Sequence, residues 1–241
     1  MRRLSAALVM ALAGAACSTA DQPGTLTVLA AASLTEAFGE LGRTFEATHP
    51  DVHVALTFAA SSTLARQVVE GSPGDVLATA DEAAMAPVVA AGRVAAAPTV
   101  FARNRLAIAV APGNPQRVSG LADLAGPGLT VVLCAPEAPC GRAAAEALRR
   151  AAVDLRPESL EENVRAVVSR VALGEADVGL VFATDVPAAG VEAVAVPDGQ
   201  NVTTAYPVAV VCDTAAARAF VDHVLSTDGQ QVLARFGFAP R

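Results

Sequence analysis

Strand-length apolar runs alternate with helix-face patterns along most of this chain, and that alternation restricts the fold more than any other feature. Residues 25–31 form an apolar-rich run of strand length. Val52, Val54, Leu56 and Phe58 alternate with His53, Ala55 and Thr57, the period of a strand with one buried face. Further strands are predicted at 76–80, 106–111, 129–133, 178–182, 191–196 and 208–211. Leu34, Ala37, Phe38, Leu41 and Phe45 share one helical face, and Pro50 stops that helix. Helical patterns recur at 64–70, 82–91, 142–152, 164–173, 215–225 and 229–236. Such alternation predicts an α/β protein, helices covering a mostly parallel sheet. With 241 residues, 53% hydrophobic and 17% charged, the chain can bury a core as one large domain or two small lobes.

Charge then removes whole classes of function. The net charge is −7, and all 17 basic residues are arginine. Without lysine there is no phosphate-binding P-loop and no Schiff-base chemistry. An acidic chain lacks the basic face that nucleic acids require. Trp is absent and Tyr206 is the sole tyrosine, so no aromatic platform for stacking bases is available.

The first residues read as an address. Arg2 and Arg3 precede an apolar run over 4–16 that is too short to span a bilayer, and small residues end it, as in an export signal. Gly14-Ala15-Ala16-Cys17 resembles a bacterial lipobox, with Gly14 where leucine is preferred. The expectation is a signal peptide at 1–16, lipidation at Cys17 and a tether at 17–23, the lipid being the only membrane attachment. Of the other cysteines, Cys134 and Cys140 lie six apart, and an oxidising exterior favours a disulfide between them. Metal binding is the rival reading, but it needs further His or Cys ligands and none lie nearby in sequence. Cys212 follows an apolar strand and is expected to be a buried free thiol.

Several strands end in small polar turns that open helices. Ser33 stands three residues before Glu36, the spacing of a capping box. Ser61 follows another strand, Cys140-Gly141 opens a third helix and Asn163-Val164 a fourth. Helix starts carry unpaired N–H groups and about half a positive charge, and ligands of α/β sheets bind beyond the carboxyl ends of strands. Two helix starts early in the chain and two in the middle, facing one another, would trap an anion with neutral dipoles. Taken singly, each serine is more simply a cap. Hydrolase chemistry has little support: there is no Gly-x-Ser-x-Gly elbow. His49 and His53 read as surface residues, without a shared helix face for zinc. Asp81 reads as a helix cap and Asp75 as a turn residue.

Ala-Ala-Ala-Ser-Leu-Thr-Glu-Ala-Phe at 30–38, Phe-Ala-Ala-Ser-Ser-Thr-Leu-Ala-Arg-Gln at 58–67 and Gly-Asp-Val-Leu-Ala-Thr-Ala-Asp at 74–81 resemble the molybdate-binding proteins of bacterial ABC importers. The similarity continues through Glu-Asn-Val-Arg at 162–165, Asp-Val-Gly-Leu-Val-Phe at 177–182, Tyr-Pro-Val-Ala-Val at 206–210 and Arg-Phe-Gly-Phe at 235–238. Cys-x5-Cys-Gly looks like a bridged variant seen in some lipoprotein members.

The resemblance implies a type II periplasmic-binding-protein fold: two α/β lobes, 24–104 with 207–241 and 105–206, joined by two crossing strands. It implies a monomer that holds molybdate or tungstate between the lobes and delivers it to an ABC permease, with no cofactor. Ser33 and Ser61 match the family's two serine ligands, and Cys140 and Val164 match backbone N–H donors. The fifth family ligand is a tyrosine hydroxyl, and Phe182 stands there, leaving water, Thr184 or a backbone N–H to fill the gap. Another tetrahedral anion such as sulfate, and a sensor module of the same fold, are the alternatives.

Overall fold

The computed structural model describes residues 24–241. The signal peptide, the tether and the lipidation expected at Cys17 lie outside the described residues. Nine strands form one mixed sheet in the order β2-β1-β3-β9-β4-β7-β5-β6, with β8 paired to β4. The strands are β1 Thr25–Ala31, β2 His53–Ala59, β3 Val76–Ala78, β4 Thr99–Val110, β5 Val131–Cys134, β6 Ser159–Glu161, β7 Val178–Phe182, β8 Glu192–Ala195 and β9 Thr203–Val210. The helices are α1 Thr35–Thr48, α2 Ser61–Val69, α3 Glu82–Ala90, α4 Pro139–Arg150, α5 Val164–Ala172, α6 Ala215–Leu225 and α7 Thr227–Arg235.

The sheet has two similar halves. In the first, β2, β1 and β3 pair in parallel and β9 joins β3 antiparallel. In the second, β6, β5 and β7 pair in parallel and β4 joins β7 antiparallel. The expectation of a mostly parallel sheet therefore holds for the outer three strands of each half and fails at the centre. There β4 pairs with β9 through 99–105, then with β7 and β8 through 106–110, so one strand serves both halves. Buried Asn201 holds the crossing: its Oδ1 accepts from the Leu106 N–H at 2.9 Å and its Nδ2 donates to the Leu106 carbonyl at 2.9 Å.

The core explains the helix faces. Ala37, Phe38, Leu41 and Phe45 of α1 are buried, as their spacing requires. Phe45 and Phe38 pack edge-on or tilted against Phe220 and Phe101, with centroids 5.3 Å apart for Phe45–Phe220 and 5.6 Å for Phe38–Phe101. This aromatic column continues through Tyr206 to Phe182 and Phe238, at 5.8 and 5.5 Å from Tyr206. Among the described residues no helix is long and apolar enough to cross a membrane.

Two expectations are corrected here. Cys212 is half-buried and disulfide-bonded, so it is not a buried free thiol; among the described residues no cysteine is free. The capping box at Ser33 does not form. Residues 32–34 make a 3-10 turn, α1 starts at Thr35, and neither start carries a side-chain cap. Glu36 turns instead toward Arg165, 2.8 Å away.

Candidate functional site

Four chain reversals converge on one small pocket. Each lies beyond the carboxyl end of a parallel strand: Ala31-Ala32-Ser33 after β1, Ala59-Ala60-Ser61 after β2, Ala138-Pro139-Cys140 after β5, and Asn163-Val164 after β6. Ala80, Glu162 and Phe182 complete the lining, so Ser33, Ser61, Cys140, Val164 and Phe182 share one cavity. Its interior volume is only about 10 Å3, far below the roughly 300–1,000 Å3 of pockets for organic ligands. Two α-helices from the second half and one from the first point their N-termini at it. Their first-turn N–H groups have no intrahelical acceptor, and the residues that carry them line the pocket.

Local chemistry fixes each wall. Asn163 caps α5 by accepting from the Ala166 N–H at 3.1 Å, which leaves the Val164 and Arg165 amides at the helix mouth. Pro139 occupies the first turn of α4, where its missing N–H costs nothing. The Cys134–Cys140 disulfide ties the end of β5 to that turn. Gly141 is obligatory beside it, because a Cβ there would lie 2.0 Å from the Ala135 carbonyl oxygen. The disulfide expected from the sequence is present and metal binding is not needed to explain the pair.

The two serines are buried, 5% exposed for Ser33 and 2% for Ser61. Neither caps its helix. Ser61 Oγ accepts from the Ala80 N–H at 3.0 Å. An amide N–H only donates, so the Ser61 hydroxyl hydrogen stays available to a guest. Ser33 Oγ lies 3.1 Å from Tyr206 Oη. No lining residue is basic. Arg142 and Arg165 stand nearby but are held elsewhere. Arg142 grips the Asp81 carboxylate at 2.7 and 2.9 Å, while Asp81 caps α3 through the Ala84 N–H at 2.8 Å. Arg165 sits 2.8 Å from Glu36, close enough for an ion pair though not aligned as a hydrogen bond. Each pair joins a residue of one half to a residue of the other.

Other candidate residues lie away from it. His49 is half-buried and stacks on Phe45 at 4.0 Å, and His53 is exposed and pairs with Glu46 at 2.9 Å. Asp75 accepts from the Thr27 N–H at 2.7 Å. Among the described residues no group of three or more His, Cys, Asp or Glu side chains could hold a metal ion. Thr184 does not line the pocket; its Oγ1 accepts from Asn104 Nδ2 at 2.8 Å. Exposed Glu162, at the rim, was not singled out from the sequence, since one glutamate before a helix carries no distinguishing signal.

A two-half α/β fold with a small pocket of helix N-termini at its centre defines a binding protein for a compact anion. The chain belongs to the bacterial extracellular solute-binding proteins, whose family pattern it matches over residues 26–239. It is 42% identical over 219 residues to the molybdate-binding protein ModA of Mycobacterium tuberculosis, covering 89% of this chain and 84% of that one. It is 33% identical to ModA of Escherichia coli, covering 97% and 95%. The periplasmic molybdate-binding protein of Azotobacter vinelandii has the same fold, with a TM-score of 0.77 at 20% identity over 90% of this chain and 99% of that one.

Proposed function

We propose that this protein captures molybdate, and tungstate with it, outside the cytoplasm and hands it to the permease of an ABC importer. One observation carries the reading: the pocket offers hydroxyl and amide hydrogens from four chain reversals and no basic side chain. Molybdate is fully deprotonated near neutral pH and accepts hydrogen bonds on every side. Hydrogen phosphate must donate its own proton, and an unmatched buried donor costs about 1–3 kcal/mol. Sulfate has the right charge but is smaller, and donors spaced for molybdate would be over-long for it. Oriented dipoles spread the guest's charge without a counter-ion.

In this reading Ser33 and Ser61 bind through their hydroxyls, Cys140 and Val164 through their backbone N–H groups, and Phe182 closes the wall where the family resemblance implies a tyrosine. The lobes are 24–104 with 207–241 and 105–206, and closing them around the guest signals loading to the permease. Residues 1–16 direct export, and the protein acts as a monomer outside the cytoplasm. The identity with ModA relatives supports this assignment. Calorimetry with molybdate, tungstate, sulfate and phosphate tests it. One-to-one binding of molybdate and tungstate is expected, lost by at least about a hundredfold when Ser33 and Ser61 are both replaced by Ala. Heat with sulfate alone, or an unchanged affinity in the double variant, rejects the assignment.

A further inference from the structure

Behind Ser33 lies a buried hydrogen-bond chain that runs through Tyr206 to Asn104. Asn104, 3% exposed, projects inward from β4 between two outward arginines. Its Oδ1 accepts from the Arg105 N–H at 2.9 Å, which settles the orientation of the amide because an N–H cannot accept. The Nδ2 group therefore faces its two remaining neighbours, donating to Thr184 Oγ1 at 2.8 Å and to Tyr206 Oη at 3.3 Å. Tyr206 is fully buried, and its hydroxyl has one hydrogen. If Oη accepted from both Asn104 and Ser33, its own hydrogen would be buried without an acceptor; directed to Ser33 Oγ, 3.1 Å away, it is satisfied. Ser33 then accepts from Tyr206, and its own hydrogen is left for a guest. Ala80 does the same for Ser61 from the other side of the pocket.

We infer that Tyr206 and Asn104 are positioning residues that set the proton polarity of Ser33, so that the site favours a proton-free anion over one that must donate. The inference rests on the oxyanion reading above. Each bond in the chain polarises the next, which strengthens the final donor. Phe182 cannot supply a hydroxyl, and its ring packs against Tyr206 at 5.8 Å, so the tyrosine oxygen acts through Ser33 and not from the pocket wall.

Tyr206→Phe removes the relay and frees a lone pair on Ser33. The test is calorimetric titration of the full chain with molybdate, alone and against millimolar phosphate as competitor. The variant should bind molybdate about tenfold more weakly, and phosphate should compete better against it than against the parent. Asn104→Ala should weaken binding in the same direction and serves alone if Tyr206→Phe does not fold. Because the two residues act in series, the double variant should be no weaker than Tyr206→Phe. Unchanged molybdate affinity, an equal loss for both anions, or losses that add in the double variant would overturn the relay. A parent protein that gives no heat with molybdate or tungstate would instead sink the oxyanion reading, a separate failure.

Discussion

Asp185 carries a carboxyl group where water scarcely reaches it. It is 1% exposed, and neither oxygen has a hydrogen-bond partner among the described residues. Burial pushes its pKa up to about 8, with the charge of Arg165 opposing the rise and that of Glu36 adding to it. Near neutral pH the group is therefore mostly protonated, which spares the region behind the pocket a further negative charge. The folded pKa lies above the unfolded value of about 3.9, so the folded chain holds a proton that the unfolded chain releases. The resulting stabilisation is complete below about pH 4 and is lost as pH rises toward 8, at up to about 1.4 kcal/mol per unit. Urea denaturation should give a lower stability at about pH 8 than at about pH 5, and Asp185→Asn should shrink that difference. An unchanged pH dependence in the variant would show that the slope belongs to other groups. Tyr206, fully buried, is likewise held neutral: burial raises its pKa well above the usual phenol range, which keeps the hydrogen that Ser33 accepts.

At the scale of elements, the site depends on how closely helix starts can approach strand ends. Gly141 is the sharpest case, because any Cβ would collide with the Ala135 carbonyl oxygen at 2.0 Å. Gly141→Ala should displace the start of α4, destabilise the fold by about 1–3 kcal/mol, and weaken anion binding several-fold. Gly39→Ala is the control: its Cβ would meet only the Arg43 side chain at 3.7 Å. It should be neutral or stabilising by about 0.5–1 kcal/mol in α1. Thermal melts with calorimetry on both variants separate the outcomes, and equal behaviour of the two would refute the packing argument. Elements with clean periodicity were legible in the sequence: β1, β7 and α6 match their predicted bounds. The crossing strands were not. Predicted from 106 and from 208, β4 begins at Thr99 and β9 at Thr203. Arg103, Asn104 and Arg105 interrupt the apolar run of β4, yet Asn104 is the buried member of an alternating set. Its polarity hid the strand and marks the relay. β6 escaped because it is three residues long and carries serine and glutamate.

Across the whole molecule, a chain of formal charge −7 holds a site proposed for a dianion. Net repulsion of that sign works against capture, and the local field of converging helix starts must exceed it. The arginines nearest the pocket are committed to carboxylates of the opposite half, Arg142 to Asp81 and Arg165 to Glu36. They join the halves and leave the guest to uncharged donors. The four strand-end turns were legible in the sequence, through the serines, Cys140-Gly141 and Asn163-Val164, and their convergence was an expectation. What the sequence could not carry was the direction of each hydroxyl hydrogen, which depends on Tyr206, Asn104 and Ala80 arriving from distant segments. A crystal structure of the protein grown with molybdate tests the central claim most directly. The oxyanion should lie within hydrogen-bond distance of Ser33 and Ser61 Oγ and of the Cys140 and Val164 N–H groups, with both arginines still on their carboxylates. An anion seated elsewhere, or one contacted by Arg142 or Arg165, would contradict the account.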